Sequence, residues 1–254
     1  MDHALFQYLL RLGDSTLILS HRVSEWTGHG PALEEDLAMT NVALDLLGHS
    51  RMWLTLAGQV EGQGRDEDQL AFLRDAPDFR NVLLVEKENG HYGDTLARQL
   101  VFDVWYYHLL QALTESSNES VAEIARKAMK EVTYHVRRSS DLVIRLGDGT
   151  PESHRKMQEA LDDVWRFTGE LFADDDVTRA LADQSVIPLH ASLQEPCMKI
   201  LADIATEATL TLPDVAAGSH LAYQGGVHGR HTEALGYILA EMQHLQRTYP
   251  GASW

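Results

Sequence analysis

The stretch KEVTYHVRRS (130–139) poses the question on which the fold turns. Read as a helix, it places Glu131 and His135 one turn apart on a single face. Helical bundles that hold carboxylate-bridged di-iron use Glu-x-x-His for half of the metal site. Here the +3 position is Tyr134, and the histidine comes at +4. The stretch is therefore a metal half-site, working or disabled, or simply a polar pair on a packed helix.

Outward from it, helix four carries a stripe of Val121, Ile124, Ala128, Glu131, His135 and Leu142. Helix two repeats the pattern with Ala38, Val42, Asp45, His49, Met52 and Leu56, and helix three with Leu96, Leu100, Asp103, Tyr107 and Leu110. Leu5, Leu9, Leu12, Leu19, Val23 and Trp26 stripe helix one, with Asp14 off that stripe beside Leu10, Leu17 and His21. A spacing of three and four residues is that of one helix face. Expected helices are 3–30, about 32–60 with Pro31 at its first turn, 94–115, and 120–147 with Ser120 and Glu123 as a capping box. Others are 151–173 opened by Thr150-Pro151, a short one near 176–184, about 190–212, and 231–248. No strand alternation, repeat or linker interrupts them. The chain reads as one all-α domain over 1–254.

Three consecutive helices thus point a carboxylate at the core. Burying an unpaired carboxylate costs several kcal/mol, so such groups are paired, protonated or bound to a cation. One reading is a four-helix metal site, with Asp14 and Asp103 as lone carboxylates and Asp45 and Glu131 heading the two motifs. Gly48 and Tyr134 then occupy the +3 positions, while His49 and His135 sit at +4. The other reading is a residual core in which Asp45–His49 and Glu131–His135 are i,i+4 pairs.

The remaining features are plainer. A net charge of −17 over 254 residues excludes nucleic acid and anionic membranes as partners, since both require clustered Lys and Arg. The single cysteine, Cys197, allows no intrachain disulfide and lies on an apolar helical face. No apolar run of about 18 residues and no leader signal is evident, so a cytoplasmic location is expected. His228 and His231 in the Gly-rich GGVHGRHTEAL invite comparison with an anion-binding loop, although helix capping by Thr232 explains the pattern as well. DAPDFRN is an acid-flanked loop with one arginine.

RLGDSTLILSHRVSEWTGHGPALEEDLAMTNVALDLLGHSR, NGHYGDTLARQ, EVTYHVRRSSDLVIRLGDGT, VWRFTGELF and HTEALGYILAEMQHLQRTYPG together resemble the C-type subunits of bacterial phenylacetyl-CoA epoxidases, in order over nearly the whole chain. The resemblance implies a ferritin-like helical bundle with additional C-terminal helices. It also implies a place in a multicomponent monooxygenase of aerobic phenylacetate breakdown. A homologous A subunit there carries the di-iron centre and epoxidises the CoA ester, with electrons from a separate reductase. The C-type subunit is its non-catalytic structural partner and helps form the groove for CoA. On this reading the chain has no cofactor of its own. Asp14, Asp45, His49, Asp103, Glu131 and His135 are then a degenerate metal site. Asp78, Phe79, Arg80, Asn81 and Arg179 are candidates for contacting phenylacetyl-CoA at the A–C junction. Helix one, with helix two, is the expected face for the A subunit. The competing expectation is an oxygenase in its own right, using the Asp/Glu set with His49 and His135; a third is a scaffold that only sequesters ions.

Overall fold

The computed structural model describes residues 2–214, 216 and 223–252. Among them the chain is all-α, as the periodicity predicts, and no strand occurs. In order, the helices are α1 (His3–Ser24), α2 (Leu33–Glu61), α3 (Glu67–Phe72), α4 (Tyr92–Leu113), α5 (Glu119–Gly147) and α6 (Pro151–Trp165). They continue with α7 (Thr168–Leu171), α8 (Asp176–Asp183), α9 (Gln194–Glu207), α10 (Glu233–Met242) and α11 (His244–Thr248). The chain forms two compact units, residues 1–87 with 225–254, and residues 88–224.

In the first unit α1 and α2 form an antiparallel hairpin. Thr27 and Thr40 meet near its turn, and Gly13 lies so close to Leu54 that a β-carbon would collide with that side chain. Asp2 caps α1 by accepting from the Leu5 amide at 3.1 Å. The helix stops at Ser24 rather than 30, where turns lead to Gly28 at φ +83°. Pro31 stands ahead of α2 instead of in its first turn. Ala32 is the N-cap and makes no side-chain cap bond, while Glu34, Glu35 and Asp36 oppose the positive end of the helix. Gly62, in the left-handed region, closes α2.

The two helices differ in what they leave outside. Of the 22 residues of α1, 17 are buried, so its wide apolar surface is consumed within the chain and cannot serve as the docking face expected of it. The surplus lies on α2, where Leu33 (72% exposed), Leu37, Leu44 and Leu47 (44%) follow one another at helical spacing in solvent. After α3 the backbone makes two 3-10 turns, Ala76–Asp78 and Leu83–Glu86, and α10 and α11 return over this segment. There Gln243 donates to the carbonyls of Ala71 and Arg74 at 3.1 and 2.9 Å.

The second unit is built on α4 and α5, again antiparallel: Arg138 donates to the Tyr92 hydroxyl at 3.0 Å, and Arg126 reaches the Thr114 carbonyl at the opposite end. Asn118, not Ser120, caps α5, accepting from the Val121 amide. Thr150-Pro151 opens α6 as the sequence predicts, with Ser153 completing a reciprocal cap. The expected helix over 151–173 breaks after Trp165 and resumes as one turn, α7, with the Trp105 indole donating to the Leu171 carbonyl at 2.9 Å. The helix expected over 190–212 is a 3-10 turn, His190–Leu193, followed by α9.

Candidate functional site

Asp14, the least convincing carboxylate by periodicity, is completely buried. Arg74, from the chain just after α3, closes on it with both terminal nitrogens. Nη1 donates to Oδ2 at 3.0 Å and Nη2 bonds Oδ1. The backbone N–H of Arg80 adds a third donor to Oδ2 at 2.8 Å. Arg74 is itself held by the carbonyls of Leu70 and Asp78, and its guanidinium lies 4.4 Å from the Phe79 ring centroid. A planar fork matched to a carboxylate is the strongest geometry such a pair adopts. With both oxygens engaged by a fixed cation and an amide, Asp14 does not present the donor set of a metal ligand.

Of the remaining candidate carboxylates, Asp103, on α4, is also buried. Gln99 donates to its Oδ1 at 2.6 Å. Burial pushes its carboxyl up to about 6, against the opposing pull of His135, Gln99, Ser139 and Arg138. His49 and His135 are fully enclosed, whereas Asp45 and Glu131, near the middle of their helices, are only half-buried. Glu131 and His135 share α5, and the electrostatic influence of His135 on Asp103 spans the α4–α5 pair. Among the described residues, no group of three or more His, Cys, Asp or Glu side chains is arranged to hold a metal ion.

The loop nominated for CoA contact divides into two sets. Asp78 is exposed and Arg80 half-buried, whereas Phe79 and Asn81 are wholly enclosed. Phe79 lies under Arg74, and Asn81 donates to Glu86 at 2.8 Å. Arg80 is also braced. Its Nε donates to Gln7 at 3.1 Å and its Nη1 to the carbonyls of Pro77 and Phe79, both at 2.7 Å. Arg179 lies in the other unit, exposed on α8, where it donates to the Asp174 carbonyl at 3.0 Å. It borders a groove of about 720 Å³ lined also by Ser116, Asp183, Val186, Ile187 and Leu189.

Sequence reasoning missed two groups. Arg74 lies in LAFLRDAPDFR, where no periodicity marks it as internal. Glu86, completely buried, gathers Asn81, His231 and Thr232. Thr232 does occupy the N-cap position of α10, but it makes no side-chain cap bond and gives its hydroxyl to Glu86 instead. His231 is likewise turned inward, its ring contacting Glu86 and the Phe79 carbonyl.

Residues 1–254 match the family described as phenylacetic acid catabolic protein. The chain is 47% identical over 249 residues to the C subunit of the 1,2-phenylacetyl-CoA epoxidase of Escherichia coli (strain K12). That alignment covers 97% of this chain and 98% of its relative.

Proposed function

The chain belongs to the phenylacetic acid catabolic protein family, and from that premise we propose that it is the non-catalytic, supporting subunit of a phenylacetyl-CoA 1,2-epoxidase. Its partner on this reading is a homologous A subunit that carries the di-iron centre, with a reductase and further subunits making up a cytoplasmic complex. The observation that carries the proposal is the Arg74–Asp14 pair. A fixed guanidinium supplies the charge compensation that a buried carboxylate otherwise takes from a metal.

The chain acts as one ferritin-like domain and offers its partner the exposed leucines of α2. Leu33, Leu37, Leu44 and Leu47 form a seam suited to an apolar helix, because apolar residues at this spacing pack into a facing helix. On the substrate side, Asp78 and Arg80 meet the CoA portion of the ester, while Phe79 and Asn81 hold the loop from within. Arg179, on the second unit, is a separate candidate cation for a CoA phosphate.

Elemental analysis for iron tests this reading, first on the chain alone and then on its complex with the A subunit. Substoichiometric iron in the chain alone, rising to a di-iron complement only with the partner, is the expected result. About two irons per chain, lost on Glu131→Ala, would instead identify an oxygenase in its own right.

A further inference from the structure

The outer face of α5 carries a charge opposite to that of the molecule. The chain holds 38 acidic residues against 21 Lys and Arg, yet residues 126–138 bring together Arg126, Lys127, Lys130, Arg137 and Arg138 against Glu131 alone. Two of these cations are already engaged. Arg126 pairs with Glu119 at 2.7 Å, and the buried Arg138 reaches the Tyr92 hydroxyl. Left in solvent are Lys127, Lys130, Tyr134 and Arg137, separated by three, four and three residues, the spacing of one helix face.

The three cations have acids within one turn and do not use them. Glu123 and Glu131 lie four residues to either side of Lys127, and Asp141 follows Arg137 at the same spacing. Ion pairs form readily at that separation on a helix surface. Among the described residues, Lys127, Lys130 and Arg137 nonetheless make no ion pair or hydrogen bond. Between them Tyr134 stands 48% exposed, its ring beside that of His135. The exposed Thr133 next to it turns its hydroxyl back to the Met129 carbonyl of its own helix.

We propose, on the reading of this chain as an epoxidase subunit, that the stripe docks a compact acidic patch on a protein component of the complex other than the A subunit. Charge and size select that class of partner. At 1.5 Å per residue the cations span about 15 Å, and Glu123 and Asp141 close the same face about 27 Å apart. A long polyanion laid along α5 would run onto both acids, and on its approach it would meet a net charge of −17. A globular partner with a few carboxylates spread over about 15 Å fits between those acids. Inside a Debye length, about 10 Å at 0.1 M salt, it feels the local cations rather than the whole molecule. Tyr134 supplies the central contact, of a residue type that carries binding energy, while the flanking charges fix orientation.

Titration of the full chain with each remaining component of the complex, the reductase included, tests the stripe at about 0.05 M salt. The wild-type chain should bind one of them, and Lys130→Glu with Arg137→Glu should weaken that binding by at least about tenfold. Lys130→Arg with Arg137→Lys, which keeps the charge, should bind as the wild type does. Affinity for the A subunit should be unchanged in both. Zero-length carbodiimide coupling, which joins an amine to a carboxylate in contact, should link Lys127 or Lys130 to an acid of that same component. Undiminished binding by the charge-reversed chain, or wild-type binding to the A subunit alone, would overturn the inference and leave the subunit reading standing. So would retention on duplex DNA or anionic vesicles that the same reversal abolishes, since the stripe would then serve a polyanion. A wild-type chain that binds neither the A subunit nor any other component would overturn both.

Discussion

Arg74 holds both carboxylate oxygens of Asp14 with the two ends of its guanidinium, inside a region where Asp14 has no exposure and Arg74 only 5%. The pair links the middle of α1 to the irregular chain after α3, so it fixes the path of that chain as well as balancing a charge. Removing one member leaves the other uncompensated. Asp14→Ala should cost about 3–5 kcal/mol in urea unfolding, and Arg74→Ala a comparable amount. The double change Asp14→Leu with Arg74→Met should recover most of the loss. A double variant as unstable as the two single losses added together would show that the residues act independently.

Asp103 makes stability depend on pH in the opposite direction from a salt-bridged acid. Its carboxyl is pushed up to about 6 by burial, above its value in the unfolded chain. Between the two values the folded state binds the extra proton, so this group's contribution to stability falls as pH rises through that interval. The contribution is worth about 3 kcal/mol. Asp103→Asn should flatten the stability profile between about pH 4 and 6 and leave the variant the more stable protein at neutral pH. An unchanged slope would place the penalty elsewhere.

Cys197 should be inert while the chain is folded. Its sulfur is enclosed 3.8 Å from the Val104 carbonyl, and burial pushes the thiol up to about 12, leaving almost no thiolate at neutral pH. A disulfide reagent should leave it unmodified in buffer and titrate one thiol per chain in denaturant. Rapid labelling of the folded chain would mean that α9 opens readily.

The seam on α2 separates folding from assembly. Leu37→Glu and Leu44→Glu replace exposed side chains and should change the stability of the chain itself by no more than about 0.5 kcal/mol. The same changes should weaken pairing with the A subunit by tenfold or more, equivalent to at least about 1.4 kcal/mol in titration calorimetry. Undiminished affinity would move the interface to another face.

What could be read from the sequence was local. Thr150-Pro151 announces α6 because its cap and its proline act within one turn, and the stripe through Val121, Ala128 and His135 marks the inner face of α5. Periodicity found α1 and its inward stripe, but not the burial of its remaining surface, because a helix buried nearly all round has no outer face to contrast with its stripe. It misplaced the apolar surplus for the same reason: leucines in solvent on α2 and leucines in the core look alike as letters. The paired groups were out of reach. Arg74 meets Asp14 across 60 positions and His231 meets Glu86 across 145, both from segments without regular spacing. Proline and capping patterns say where helices begin, but not which loop residue will be folded over a buried acid.

The α2 leucines also bear on the chain before it finds any partner. A bare apolar seam would ordinarily bring copies of the same molecule together, yet each copy carries a net charge of −17, with Glu34, Glu35 and Asp36 on the first turn of the very helix that bears the seam. Mutual repulsion holds such copies apart only within the reach of their fields, about 10 Å at 0.1 M salt and about 3 Å at 1 M. Salt therefore sets the colloidal behaviour of the orphan protein: dispersed in dilute buffer, and increasingly self-adherent as ions accumulate between its acidic surfaces.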